Sequence, residues 1–100
     1  MAHPKRYKEK RWIHLRLAVL KRDKFQCQEC KRKGETTDAD TVHHCDPDAL
    51  DLFYDMGNLI SLCNACHNSM HDRITDELTE RGKKWLLRLR RGQIPRIKIL

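Results

Sequence analysis

Four cysteines stand in two pairs of identical spacing, Cys27-Gln-Glu-Cys30 and Cys63-Asn-Ala-Cys66. Two such C-x-x-C knuckles supply four thiolates, the donor set that closes a tetrahedral shell around structural zinc. Plain buried thiols or a redox dithiol are the other chemistry that such pairs allow. The 32 residues between Cys30 and Cys63 exceed the span of a short zinc ribbon, so an insert must loop out between the knuckles. That insert and its flank carry four histidines: His43, His44, His67 and His71. His67 and His71 are spaced i, i+4, which on one helix aims both at a single point. His43 lies on a segment ahead of them. Three imidazoles that leave coordination positions open suit a catalytic divalent ion, not a closed structural one. Asn58 belongs to the same neighbourhood. Cys45 is left over and reads as a free thiol beside the His pair. His3 and His14 stand apart and read as structural histidines.

Several elements must position these groups. Trp12, Leu15 and Val19 recur at helical spacing, as do Ile13, Leu17 and Leu20, and predict a helix over residues 7–21. Arg11, Arg16, Lys21 and Arg22 fall outside both stripes. Residues 23–25 end this helix, and residues 31–34 form a basic turn closing the first knuckle. Thr41-Val42-His43-His44 reads as a strand. Residues 45–57, rich in Asp with Pro47 and Gly57, read as a loop with a helical turn near 49–54. Residues 59–62 read as a second strand. Asn64 is placed to cap a helix over 65–73, and a last helix is expected over 76–91 with Leu78, Trp85, Leu86 and Leu89 inward. Gly92 stops it, and residues 94–100 read as an extended tail. Adjacent strand residues face opposite ways, so His43 and His44 share a site only where the strand ends or twists.

The chain has 100 residues, which suits one domain, 1–100, with a thin core at 39% hydrophobic and 6% aromatic residues. A metal staple is the expected remedy. The formal net charge of +7 is unevenly placed. Residues 1–33 carry +9, residues 34–72 carry −8 with no Lys or Arg, and residues 73–100 carry +6. Basic arms suit a polyanion such as nucleic acid, and the acidic centre repels one unless a cation sits there. A solvated, salt-bridged surface is the plainer reading of the same charges. No apolar run is long enough to span a membrane, and residues 1–11 lack the apolar stretch of a secretory signal. A cytoplasmic location is expected.

Val42-His43-His44, followed by Asn58-Leu59-Ile60-Ser61-Leu62-Cys63-Asn64-Ala65-Cys66-His67-Asn68-Ser69-Met70-His71, resembles the motif of HNH endonucleases. The opening, Trp12…Leu15-Arg16…Val19-Leu20-Lys21-Arg22-Asp23…Cys27-Gln28-Glu29-Cys30, is similar to the zinc-bearing branch. The resemblance covers about residues 7–75. It implies a small α+β fold, the ββα-metal (His-Me) finger, here with a structural zinc site made of the four cysteines Cys27, Cys30, Cys63 and Cys66 and with flanking helices. It implies a metal-dependent DNA endonuclease that hydrolyses phosphodiester bonds, nicking with low sequence specificity. His44 matches the general base, Asn58 the middle residue of the family name, and His67 the last. His43, His67 and His71 match ligands of one catalytic divalent cation, Mg2+, Mn2+ or Ni2+, beside a structural Zn2+. Many members have Asp at the position of His43, and Lys is common near the position of His71. The compact size resembles the small phage HNH proteins encoded beside terminase genes. That likeness implies a large terminase subunit as a partner in DNA packaging; DNA is the partner the basic arms suit, and the short chain with basic helices on both sides leaves little surface for a large self-interface, so a monomer is expected. A non-catalytic zinc-stapled DNA-binding or adaptor module is the alternative that fold alone permits.

Overall fold

The structure, a computed structural model, describes residues 7–94. The expected frayed basic start, His3 and all of the tail except Ile94 lie outside the described residues. Ile94 is buried in the core and is not part of a free tail.

Helix α1 (Lys10–Arg22) buries Trp12, Val19 and Leu20. Of the second stripe expected on this helix only Leu20 turns inward, since Ile13 and Leu17 are exposed. The helix stops at Asp23, and Lys24 and Phe25 follow at positive φ, a sharp reversal that delivers the chain to Cys27. A one-turn helix α2 (Gln28–Arg32) then takes the first half of the expected basic turn, and residues 33–34 complete it as a turn. The Cys27 thiol caps it, accepting from the Cys30 N–H, so the knuckle is itself a helix start.

Strands β1 (Thr41–His44) and β2 (Leu59–Leu62) pair antiparallel, with His43 opposite Ile60 and His44 opposite Leu59. Short 3-10 turns at Leu50–Leu52 and Met56–Asn58 shape the long connection between them. The sheet divides the core. Val42 and Leu59 pack with Trp12, Val19, Leu20 and Phe53 beneath α1. Ile60 and Leu62 pack with the cysteines, Met70, Trp85 and Ile94 on the other face. The hairpin is followed by helix α3, so the expected ββα arrangement is present in a small α+β fold.

Helix α3 (Asn64–Asn68) is shorter than the expected 65–73, and its cap position is Cys63, not Asn64. It ends because Ser69 and Met70 turn back on it, their N–H groups bonding to the Cys66 and His67 carbonyls. His71 then pairs with Leu78 in an isolated bridge across a tight excursion. His67 and His71 are therefore not on one helix, and Leu78 belongs to this bridge, not to the final helix. Helix α4 (Glu80–Arg90) begins four residues later than expected. Thr79 caps it by accepting from the Gly82 N–H, and the same hydroxyl donates to the Ser69 carbonyl at 2.7 Å. Gly82 is required here, because a Cβ would overlap the Met70 carbonyl. Trp85 is the fully buried anchor of α4, while Leu86 and Leu89 are half-buried.

Two ion pairs, each built on a buried carboxylate, lock these parts. Arg22, expected on the exposed side of α1, is buried against Asp23, and its guanidinium also donates to the Met56 and Leu59 carbonyls. Asp23 in turn accepts from the Ser61 N–H, which ties α1 to β2. Glu29 is 1% exposed and accepts from Arg32 and from the Trp85 indole at 2.8 Å, joining α2 to α4.

Candidate metal and nuclease site

The four knuckle cysteines come together. Their ligand atoms all lie within 4.8 Å of one another, and among the described residues they are the only such group of three or more His, Cys, Asp or Glu. The Cys30 and Cys66 sulfurs are 3.6 Å apart. Tetrahedral ligation with Zn–S near 2.3 Å places sulfurs roughly 3.8 Å apart, so the spacing fits. Burial, ahead of every other influence, pushes the Cys27 and Cys66 thiols above the ordinary value. Burial pushes Cys63 up too, but hydrogen bonds from the Cys66 N–H and the neighbouring thiols outweigh it and bring the group down. Four such sulfurs become thiolates together only with a cation among them. Cys45 is a free thiol, as expected. It is completely buried on the cysteine side of the sheet, and burial pushes its thiol up to about 12. It is an inert core residue.

His43 and His44 point to opposite faces, as the pleat requires, yet both line one cleft of about 440 Å³ at the end of the hairpin. His43 is 1% exposed, with its ring 5.4 Å from the rings of both His67 and His71. His71 thus reaches the cluster from the bridge beyond α3. The His43 Nε2 is buried with no hydrogen-bond partner among the described residues. Buried nitrogens are seldom orphaned, and a divalent cation is the partner that three facing imidazoles suit. The three imidazoles are less tightly grouped than the cysteine sulfurs, since their nitrogens do not all come within the same 4.8 Å of one another. The outer nitrogens are steadied as ligand histidines usually are. The His67 Nδ1 lies 3.5 Å from the Thr41 hydroxyl, and the His71 Nδ1 lies 3.3 Å from the Asp76 carbonyl. Burial first, then the neighbouring imidazoles, hold His43 well below the ordinary histidine value and lower His67 as well. Both are therefore neutral, the form that binds a metal.

His44 lies on the other wall. Its ring stacks on Trp12 at 5.1 Å with 16° between the planes, and Phe53 packs against it at 4.5 Å. Its Nε2 is 3.1 Å from the Phe53 carbonyl. A carbonyl only accepts, so Nε2 carries a proton, and in the neutral ring the lone pair is then on Nδ1. Asn58, wholly buried, holds the loop that presents this carbonyl. Its Oδ1 accepts from the Asp46 N–H at 2.7 Å, and its Nδ2 donates to the Asp46 and Leu52 carbonyls. Tyr7 and Arg16 complete the rim of the cleft. The arrangement sets one imidazole, that of His44, across a single opening from three others, those of His43, His67 and His71.

A family model described as HNH endonuclease matches residues 27–73. The chain is also similar to a solved HNH endonuclease of the deep-sea thermophilic bacteriophage GVE2, crystallised with manganese. The identity is 41% and the TM-score 0.63, over 64% of this chain and 72% of that one. The chain belongs to the HNH endonuclease family. It is a nuclease with the family's small α+β fold and a metal-binding cysteine cluster. Comparison with curated proteins gives no match. No helix among the described residues is long and apolar enough to cross a membrane.

Sequence reasoning does not reach the Trp12 stack, the Phe53 carbonyl or the Thr41 hydroxyl. Trp12 is visible only as one member of a buried stripe. A backbone carbonyl carries no residue signature at all.

Proposed function

We propose that this HNH endonuclease hydrolyses DNA phosphodiesters with His44 as general base, Asn58 as the residue that positions it, and His43, His67 and His71 as the donors for one divalent cation. Residues 1–100 act as a single nuclease domain with its core at about 7–75. The observation that carries the reading is the His44 contact with the Phe53 carbonyl, which sets the tautomer a base needs. His44 takes a proton from water through Nδ1, and the Nε2 bond keeps the ring from turning away. Held by His43, His67 and His71, a divalent cation (Mn2+, as in the phage relative's crystals, or Mg2+ or Ni2+) would neutralise phosphate charge and help the departing 3′ oxygen. Zn2+ held by Cys27, Cys30, Cys63 and Cys66 staples the fold and takes no part in the chemistry. DNA is the substrate, cut one strand at a time with low sequence preference. If the gene lies in a phage, the enzyme acts in the host cytoplasm beside the large terminase subunit during DNA packaging. The likeness to a phage endonuclease is the support for that setting.

The test is cleavage of supercoiled plasmid with Mg2+, Mn2+ or Ni2+, against a control with no added ion. We expect ion-dependent cutting. His44→Ala is expected to stay folded, keep its zinc and lose about 100- to 10,000-fold in rate. An active His44→Ala enzyme would overturn the assignment of the base.

A further inference from the structure

A second charged cleft lies away from the histidines, between α2 and α4. It measures about 260 Å³ and is lined by Arg32, Arg81, Lys84, Arg88 and Glu29. Four cations thus face a single carboxylate. That carboxylate is already engaged, since Glu29 accepts from Arg32 and Trp85, with the Arg81 guanidinium 3.5 Å away. The surplus positive charge has no acid to meet it within the cleft. Arg88 makes the imbalance specific. Its guanidinium lies over the Trp85 ring, and its Nη1 is buried with no hydrogen-bond partner among the described residues. A buried guanidinium donor left unpaired costs free energy. A cleft that crowds like charges as well is short of an anion.

The helix period puts residues 81, 84 and 88 on one face of α4. At 1.5 Å per residue they span about 10 Å. One small anion cannot reach along such a strip. A nucleic-acid strand can, because it presents a phosphate roughly every 3.4 Å of rise. Arginine and lysine on an open wall are the groups that bind phosphodiesters without reading bases. Arg32 and Arg81 keep side-chain exposures of 42% and 41%, so the wall is open to a ligand. Helix α4 also lies beyond the segment that matches the family, residues 27–73.

We propose that this cleft is a backbone-phosphate site for the DNA substrate, remote from the metal-donor cluster, with Lys84 and Arg88 as its principal contacts and Arg32 and Arg81 at its edges. The inference rests on DNA being the substrate. The experiment is a salt titration of binding to a short labelled duplex with no added divalent ion, using the zinc-loaded full chain. Lys84→Gln is the clean probe, because Lys84 is exposed and its loss leaves the core intact. Arg88→Gln and the double variant follow, each checked for zinc content. Each lost contact is expected to flatten the slope of log affinity against log salt by roughly 0.9 and to weaken all sequences alike. In parallel, inorganic phosphate at matched ionic strength is expected to raise the melting temperature of the wild-type chain and not of the double variant. Wild-type binding with a slope that neither Lys84→Gln nor the double variant moves would overturn the site and leave the DNA reading standing. Phosphate protection with no duplex binding by the wild-type chain would overturn both.

Discussion

His44 and Asn58 show how a single side chain is made useful by groups with no chemistry of their own. The His44 ring is held between Trp12 and Phe53 and tethered through Nε2 to the Phe53 carbonyl. That carbonyl belongs to the loop that Asn58 bonds at Asp46 and Leu52. Replacing Asn58 by Ala leaves the Asp46 N–H and two carbonyls without partners in a buried place, a cost of about 1–3 kcal/mol. We expect Asn58→Ala to lower the melting temperature and to cut activity by more than the loss of folded protein explains. Asn58→Asp should not rescue it, because a carboxylate cannot donate to the Leu52 carbonyl. Thermal melts read beside plasmid cleavage check this, and an Asn58→Ala enzyme with wild-type rate would refute it. At this scale the sequence is legible wherever a residue type announces its chemistry. The cysteines, the histidines and the asparagine do so, and the structure brings the four sulfurs together and the histidines around one opening. The Arg22–Asp23 pair does not, because burial of a charge depends on partners from β2 and the 3-10 turn, far away in the chain.

Among the elements, the two strands fall where the sequence places them, because β-branched and apolar residues there agree with their burial. The helices that flank the zinc do not. Helix α3 is cut short after Asn68, and α4 is delayed to Glu80 by the His71–Leu78 bridge. No local propensity marks that bridge. Its stability comes from α4 packing on Met70, which only Gly82 allows. Gly82→Ala should therefore destabilise the fold by about 1–3 kcal/mol by overpacking, even though alanine favours helices. A denaturant melt checks the sign, and a more stable Gly82→Ala protein would contradict the close approach. The knuckles act on the same elements. Cys27 and Cys63 occupy the N-cap positions of α2 and α3, one-turn helices too short to stand alone. Structural zinc contributes roughly 10 kcal/mol or more in small peptides, comparable to the whole stability of a domain of this size. Cys27→Ser or Cys63→Ser should give an unfolded or insoluble chain, seen by circular dichroism and zinc analysis. A folded, active Cys63→Ser protein would sink the zinc assignment.

On the scale of the whole molecule, the charge pattern finds a physical place. The acidic stretch of the sequence carries His43 and His44, while the basic segments form α1 and α4 on either side of the sheet. That α1 borders the histidine cleft while the α4 cations line a separate one is not legible from charge alone, since the sequence does not say which faces of α1 and α4 turn outward. The count of active centres has a consequence for the product. On the reading proposed above, each chain has one His44 and one cluster of His43, His67 and His71, and one such centre attacks one phosphodiester at a time. Breaking both strands at once needs a second centre of opposite polarity, from another copy or from a partner nuclease. Among the described residues, the exposed large apolar side chains are scattered singly or in pairs, such as Ile13 and Leu17 on α1. A stable pairing of copies generally needs a far larger continuous patch. The chain acting alone should therefore nick. A time course on supercoiled plasmid at low enzyme concentration should show an early, dominant open-circular band that decays later to linear as nicks on opposite strands coincide. The lag before linear product should shorten as enzyme concentration rises, because independent nicks accumulate faster. Linear product appearing first, with no open-circular intermediate at any concentration, would require paired centres and would overturn the single-chain reading.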